Sequence, residues 1–109
     1  MIVYIATPIN GRKGKTFEEK RLMAEARVNM LKKLLAGAPE FKGCEFTSTF
    51  DLPHEDDTTE ARAMGDCVAA VLNCDAVYMD TGWQASKGCN LEYRAAKIYG
   101  KKIYYHDHG

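Results

Sequence analysis

Apolar residues recur along the chain with two alternating periods. Short apolar runs rich in β-branched and aromatic residues, typical of buried strands, occupy 2–6, 44–50, 75–80 and 102–105. Between these runs, apolar residues three and four positions apart, with charged residues on the other face, predict three helices. Strands that alternate with helices are typical of a parallel sheet covered on both faces. We therefore predict an α/β fold, a small doubly wound three-layer sandwich with a four-stranded parallel sheet.

Local signals predict where the helices begin and end. The first starts at Thr16, which forms a capping-box pattern with Glu19, and stops at Gly37. The second ends near Asn73, and the third opens at Ser86. The apolar stripe of the first helix is interpreted as core or as a dimer interface. It comprises Phe17, Leu22, Met23, Ala26, Met30, Leu31, Leu34 and Leu35.

Length and charge restrict the classes of protein. The 109 residues predict one domain over 1–109, and 15 Lys and Arg balance 15 Asp and Glu. This balance gives no electrostatic reason to expect a nucleic acid polymer or a membrane as partner. No apolar run approaches the roughly 18 residues of a membrane helix. Met1 is followed directly by the first predicted strand, so we expect no secretory signal. We expect a cytoplasmic protein whose four cysteines stay reduced, without structural zinc.

Polar residues follow the predicted strands at the edge where such folds bind ligands. That edge is formed by the carboxyl ends of the strands, beside the point where the strand order reverses. Ser86-Lys87-Gly88 at a helix start offers backbone donors and a partial positive charge, which suits a phosphate. On these three residues alone, an ordinary serine N-cap is the preferred interpretation. The candidate ligand-binding residues are Thr7, Pro8, Asn10, Gly11, Asp80, Gly82, Trp83, Ser86, Gly88 and Asn90.

Glu92 lies about a turn and a half inside the last helix and is predicted to point into the crevice. A carboxylate there can attack the anomeric carbon of a sugar, because the oxocarbenium-like transition state is stabilised by a nearby negative charge. The alternative is an ordinary solvated glutamate near the favourable end of the helix dipole.

Two runs of residues carry a resemblance to a known family. One is Val3 to Gly11, and the other extends from Cys74 to Met79, through Gly82-Trp83, Ser86-Lys87-Gly88, Asn90, Glu92 and Ala96, to Gly100-Lys101-Lys102. On these residues the chain resembles the nucleoside 2-deoxyribosyltransferase superfamily, in particular its small phage and bacterial branch (DUF4406-like). The resemblance covers nearly the whole chain and is more specific in the second run.

The resemblance implies a flavodoxin-like fold and a nucleoside or nucleotide as ligand. It implies cleavage or exchange of the N-glycosidic bond of a 2′-deoxyribonucleoside or its 5′-monophosphate, with no metal and no cofactor. Glu92 would be the nucleophile, Ser86 the 5′-phosphate contact, and Tyr4 the residue that positions sugar and nucleophile. It also implies a homodimer or higher homo-oligomer in which a neighbouring subunit completes the pocket.

Two positions depart from the pattern of that superfamily. The general acid toward the base is an aspartate, but the matching position here is Cys67, and Asp66 lies about 100° round the helix. Either Asp66 supplies the proton through a local shift, or the acid is missing. Nucleotide-specific hydrolases also carry a serine where this chain has Pro8.

Other readings of the same residues stay open. A non-catalytic nucleotide-binding module would keep the crevice without the acid. The run 11–16 imitates a P-loop, but Ile9 stands where that loop needs its first glycine. A phospho-receiver domain would need acids after the first strand, where Thr7 and Pro8 are found. Trp83 either stacks on a nucleobase or covers the sheet edge.

Overall fold

The sheet and helices form a doubly wound α/β sandwich. The structure, a computed structural model, describes residues 1–9, 16–52 and 60–106. Four parallel strands lie in the order β2-β1-β3-β4, and three helices join them. The strands are β1 (Ile2–Ala6), β2 (Glu45–Ser48), β3 (Ala76–Met79) and β4 (Lys102–Tyr105), and the helices are α1 (Phe17–Ala36), α2 (Glu60–Leu72) and α3 (Lys87–Ile98). The predicted flavodoxin-like fold is confirmed.

Side chains of the two central strands alternate between the two faces of the sheet. On one face, Val3 and Ile5 of β1 pack with α1, together with Ala76 and Tyr78 of β3. The other face packs against α2 and α3. Its buried residues include Tyr4, Ala6, Val77, Met79, Val71, Cys89, Ala95 and Ala96. Tyr4 and Ile5 therefore face different layers, although they are neighbours in the chain.

Strand β2 is shorter than the apolar run predicted. The run continues to Phe50, but the strand ends at Ser48 and a short 3-10 turn covers Thr49–Asp51. The Ser48 hydroxyl accepts a hydrogen bond from the Phe50 backbone N–H at 3.2 Å, and so begins the turn. A side-chain acceptor at the strand end thus outweighs the β-propensity of the residues after it.

The helix boundaries follow their capping residues. The Thr16 hydroxyl accepts from the Glu19 backbone N–H at 3.2 Å, as the capping-box pattern predicted. Gly37 caps the other end of α1 in right-handed helical geometry.

In the part of the chain that is described, no helix has the length and apolar content needed to cross a bilayer.

The apolar residues of α1 divide between two sides of the helix. Leu31 and Leu35 are buried against the sheet with Ala24 and Val28. Four other large apolar side chains of α1 are exposed to solvent. They are Leu22, Met23, Met30 and Leu34. Of the two interpretations of the stripe, core does not apply to these four residues, and for them a dimer interface stays a prediction.

Candidate functional site

The edge formed by the carboxyl ends of β1 and β3 is where the strand order reverses. From β1 the chain passes to β2 on one side and then crosses to β3 on the other. A Cβ atom built on Gly82 would lie 3.9 Å from Pro8 Cγ, so the segments after the two strands touch. Gly82 has φ +82°, which favours glycine at this turn. This is the edge at which the sequence predicts a ligand-binding crevice.

Asp80 is buried at this edge, and its carboxylate accepts hydrogen bonds from three residues. The Arg27 guanidinium donates to it through Nε at 3.0 Å and Nη2 at 2.9 Å. The Thr7 hydroxyl and the Thr81 backbone N–H donate at 3.2 and 2.8 Å. Because both carboxylate oxygens are occupied by the chain's own donors, Asp80 holds the loops after β1 and β3 together.

His106, just beyond β4, extends this network. Its Nε2 lies 3.2 Å from Arg27 Nη2, and its Nδ1 lies 2.8 Å from the Tyr78 hydroxyl. A guanidinium has no acceptor, so Nε2 must accept and Nδ1 must carry the proton. Sequence reasoning missed this role of Arg27 and His106, because neither belongs to a motif and their partners are distant in sequence.

Glu92 points inward from α3 and is 6% exposed. Burial raises the pKa of Glu92 from 4.5 to about 7, and the neighbouring Tyr4 hydroxyl opposes this rise. The predicted orientation of the side chain into the fold agrees with this burial. Burial therefore disfavours the ionised carboxylate, and that form is poorly solvated, as suits a nucleophile.

Tyr4 projects from β1 to the same place. Burial and the adjacent Glu92 carboxylate raise the pKa of the Tyr4 phenol well above its usual range. The two groups interact but do not form a hydrogen bond of ordinary geometry. Within the described residues the fully buried Tyr4 hydroxyl has no hydrogen-bond partner. Since buried hydroxyls are nearly always paired, an unpaired hydroxyl beside a buried carboxyl group marks this place as a candidate site.

Cys67 of α2 faces this pair of side chains. Its thiol lies 3.2 Å from the Thr49 hydroxyl, and burial raises the pKa of the Cys67 thiol, with a smaller contribution from Glu92. Asp66 is half-buried beside it and makes no hydrogen bond or ion pair with Glu92 in the described part of the chain. The structure therefore brings Tyr4, Glu92, Cys67 and Thr49 together, and Asp66 lies next to this group.

The start of α3 is held by hydrogen bonds within its own turn. The Ser86 hydroxyl accepts from the Cys89 backbone N–H at 3.3 Å, which is an N-cap contact. The Asn90 amide donates to the carbonyls of Gln84 and Ser86, both at 2.8 Å. A Cβ on Gly88 would lie 3.4 Å from Met64 Cε, so α2 and α3 approach closely there. Asn90 thus fixes the loop that carries Ser86.

Trp83 packs against aromatic side chains of the chain itself. Its ring lies 4.5 Å from the Tyr93 ring and 6.2 Å from the Tyr105 ring, centroid to centroid. These contacts favour the reading in which Trp83 covers the sheet edge. Of the other predicted site residues, Asn10 and Gly11 lie outside the described residues, as does most of the P-loop-like run.

Comparison with known proteins gives a family match and a structural match. A family model described as "Domain of unknown function (DUF4406)" matches residues 1–105. Among solved structures, the chain is similar to a 2-desoxiribosyltransferase from Leishmania mexicana, with a TM-score of 0.64 and 19% identity. The match covers 95% of this chain and 62% of that protein. No protein of curated function matches the chain. At this identity the likeness supports the same fold.

Proposed function

The chain belongs to the DUF4406 family, and we propose that it cleaves or exchanges the N-glycosidic bond of a 2′-deoxyribonucleoside or its 5′-monophosphate. The observation that carries this proposal is that Glu92, a buried carboxyl group, lies beside the Tyr4 hydroxyl, which has no hydrogen-bond partner among the described residues. A sugar hydroxyl would satisfy Tyr4 and bring the anomeric carbon to the carboxylate. The similar fold of the Leishmania mexicana enzyme supports the choice of substrate class.

The reaction is a double displacement at C1′. A Glu92 carboxylate oxygen attacks C1′ as the bond to the base breaks, and the bonding electron pair leaves with the base. Asp66 or water protonates the departing base. Water or a second base then attacks C1′ and releases Glu92 from the glycosyl ester. The Tyr4 hydroxyl beside Glu92 favours the ionised carboxylate before and after the glycosyl ester exists.

A 5′-phosphate would lie at the start of α3. The N-terminal backbone groups of a helix attract anions, and Ser86 and Gly88 lie at that end of α3. Thr7, Pro8, Gly82 and the turn that Asp80 holds would form the opposite wall of the crevice. Asn90 would act indirectly, through the loop that carries Ser86.

A second function is favoured by one observation. Cys67 faces Glu92 where an acid would protonate the base, and burial raises the pKa of the Cys67 thiol. A protein without an efficient acid would bind nucleosides or nucleotides and release no base. This non-catalytic binding module uses the same crevice and differs only in turnover.

The deciding experiment measures free base by chromatography after incubation with each of the four deoxynucleosides and their 5′-monophosphates. We expect the wild type to release base and Glu92→Gln to release none. Glu18→Gln, which removes an exposed carboxylate from α1, is the matched control and should keep full activity. Asp66→Asn tests the acid separately and should slow release of the least acidic bases most. Binding of these ligands without base release by the wild type would establish the binding module instead.

A further inference from the structure

The outward side of α1 carries apolar side chains that the described residues leave uncovered. Leu22 is 61% and Met30 46% exposed, and Ala26 between them is also exposed. With 3.6 residues per turn, this row lies about half a turn from the row of buried residues that packs on the sheet. A solvent-facing helix ordinarily carries polar residues at these positions, so this face is typical of an interaction surface.

A charged residue lies at each end of this row of apolar residues. Glu19 lies one turn before Leu22 and Lys33 one turn after Met30, and both are exposed. Neither charged group has an ion-pair partner within residues 1–9, 16–52 and 60–106. We call the five residues Glu19, Leu22, Ala26, Met30 and Lys33 the α1 seam. Their spacings are three, four, four and three, the same in either direction.

We propose that the α1 seam binds the α1 seam of a second copy of this chain, antiparallel, with the two-fold axis at Ala26. In this pairing Ala26 meets its own copy, Leu22 of each chain meets Met30 of the other, and Glu19 of each meets Lys33 of the other. The symmetry of the spacing is what an isologous contact requires, since each residue must find its partner in an identical surface.

The physical chemistry of the seam agrees with a second copy as the occupant. The small Ala26 at the centre permits a close approach of the two helices, and the flanking apolar pairs supply the buried area. Two ion pairs between Glu19 and Lys33 select the antiparallel direction, because a parallel pairing would place like charges together. The zero formal net charge of the chain adds no repulsion between copies.

This inference is independent of the proposed function. The seam lies on the face of the sheet covered by α1, whereas Glu92 and Tyr4 face α2 and α3. Variants of the seam should therefore leave base release, or nucleotide binding, unchanged. A dimer that seam variants do not weaken would contradict this inference alone. Absence of base release would contradict the proposed reaction alone.

The test is sedimentation velocity of the full chain over a concentration series. We expect a dimer for the wild type, and a dissociation constant raised about tenfold or more by Glu19→Lys or by Lys33→Glu, because each places like charges at two symmetric contacts. The double variant Glu19→Lys/Lys33→Glu exchanges the two charges and should return the dissociation constant to within about threefold of wild type. Glu18→Lys, one position away on α1, is the control and should leave the dimer intact.

Cross-linking tests the position of the axis. Ala26→Cys should form a disulfide between two copies under mild oxidation, because its Cα faces its own copy within bonding reach. Ala36→Cys, exposed at the end of the same helix, should not. A wild-type monomer at about 1 mM would overturn the proposal. So would a dimer whose dissociation constant is unchanged by both Glu19→Lys and Lys33→Glu. Unchanged far-UV circular dichroism ensures that a lost dimer is not an unfolded chain.

Discussion

The guanidinium of Arg27 donates two hydrogen bonds to the carboxylate of Asp80, from Nη2 to Oδ1 at 2.9 Å and from Nε to Oδ2 at 3.0 Å. Asp80 follows β3 and is 2% exposed, whereas Arg27 lies in the middle of α1. The pair therefore ties a helix on one face of the sheet to the edge where the candidate crevice opens. Such a planar, bidentate contact fixes orientation as well as distance.

Breaking this pair, in which the carboxylate is buried and the guanidinium half-buried, should cost more stability than breaking an exposed pair. Asp80→Asn removes the negative charge that Arg27 contacts, and we expect it to lower the free energy of unfolding by about 2 kcal/mol. Asp51→Asn is the matched control, because Asp51 pairs with Lys32 at 2.7 Å but its side chain is 42% exposed. That change should cost less than about 1 kcal/mol. Urea denaturation measures both, and equal losses would contradict the structural role of Asp80.

The buried Glu92 carboxyl makes stability depend on pH. The folded state holds its proton up to about pH 7, whereas the ordinary pKa is 4.5, so the wild type loses stability as pH rises between these values. Above that window the penalty is about 3 kcal/mol. Glu92→Gln carries no ionisable group, so its stability relative to wild type should increase from pH 4 to pH 8. Urea denaturation at both pH values measures this, with Glu18→Gln as control. Parallel behaviour of wild type and Glu92→Gln would show that Glu92 is solvated.

Two tyrosine-to-phenylalanine substitutions should change stability in opposite directions. At pH 5, where Glu92 holds its proton and gains little from the neighbouring hydroxyl, Tyr4→Phe removes a buried hydroxyl that lacks a hydrogen bond of ordinary geometry. It should then raise the free energy of unfolding by up to about 1 kcal/mol. Tyr78→Phe removes the 2.8 Å contact with His106 and should lower it by about 1 kcal/mol. Thermal denaturation of both variants provides the measurement. A destabilised Tyr4→Phe would indicate that the hydroxyl has a partner inside the fold.

Tyr4→Phe should also change the pH dependence of base release. The Tyr4 hydroxyl lowers the pKa of Glu92, so its removal should raise that pKa and move the acid limb of kcat/KM to higher pH. For wild type this limb should lie near pH 7, with activity lost as Glu92 gains its proton. An acid limb at the same pH in both proteins would separate Tyr4 from the nucleophile.

Ser86 combines a structural contact with a proposed phosphate contact, and two substitutions separate them. Ser86→Ala removes the N-cap acceptor and should lower the free energy of unfolding by about 1 kcal/mol. Ser86→Asp keeps an acceptor at the cap but adds a negative charge, so it should keep stability and weaken binding of the 5′-monophosphate relative to the nucleoside. Titration with both ligands measures the ratio. An unchanged ratio in Ser86→Asp would place the phosphate elsewhere.

The sequence by itself determined the local structure. Apolar periodicity predicted β1 and β4 with the bounds that the structure has, and capping residues predicted the start of α1 and of α3. These features depend on residues within a few positions of one another, so a single chain segment contains the information. The same holds for the edge at which the strand order reverses, because a parallel sheet brings the carboxyl ends of β1 and β3 together.

Only the tertiary structure decided which side chains meet. The rotation of α2 about its axis places Cys67 rather than Asp66 toward Glu92, and the pattern of α2 does not determine that rotation to within one residue. The contact of Arg27 with Asp80 joins residues 53 positions apart, and no local pattern predicts it. Apolar residues lie on both sides of α1, and long-range packing decides which side the sheet covers. Local periodicity places each element, but the choice of partners depends on contacts between elements distant in sequence.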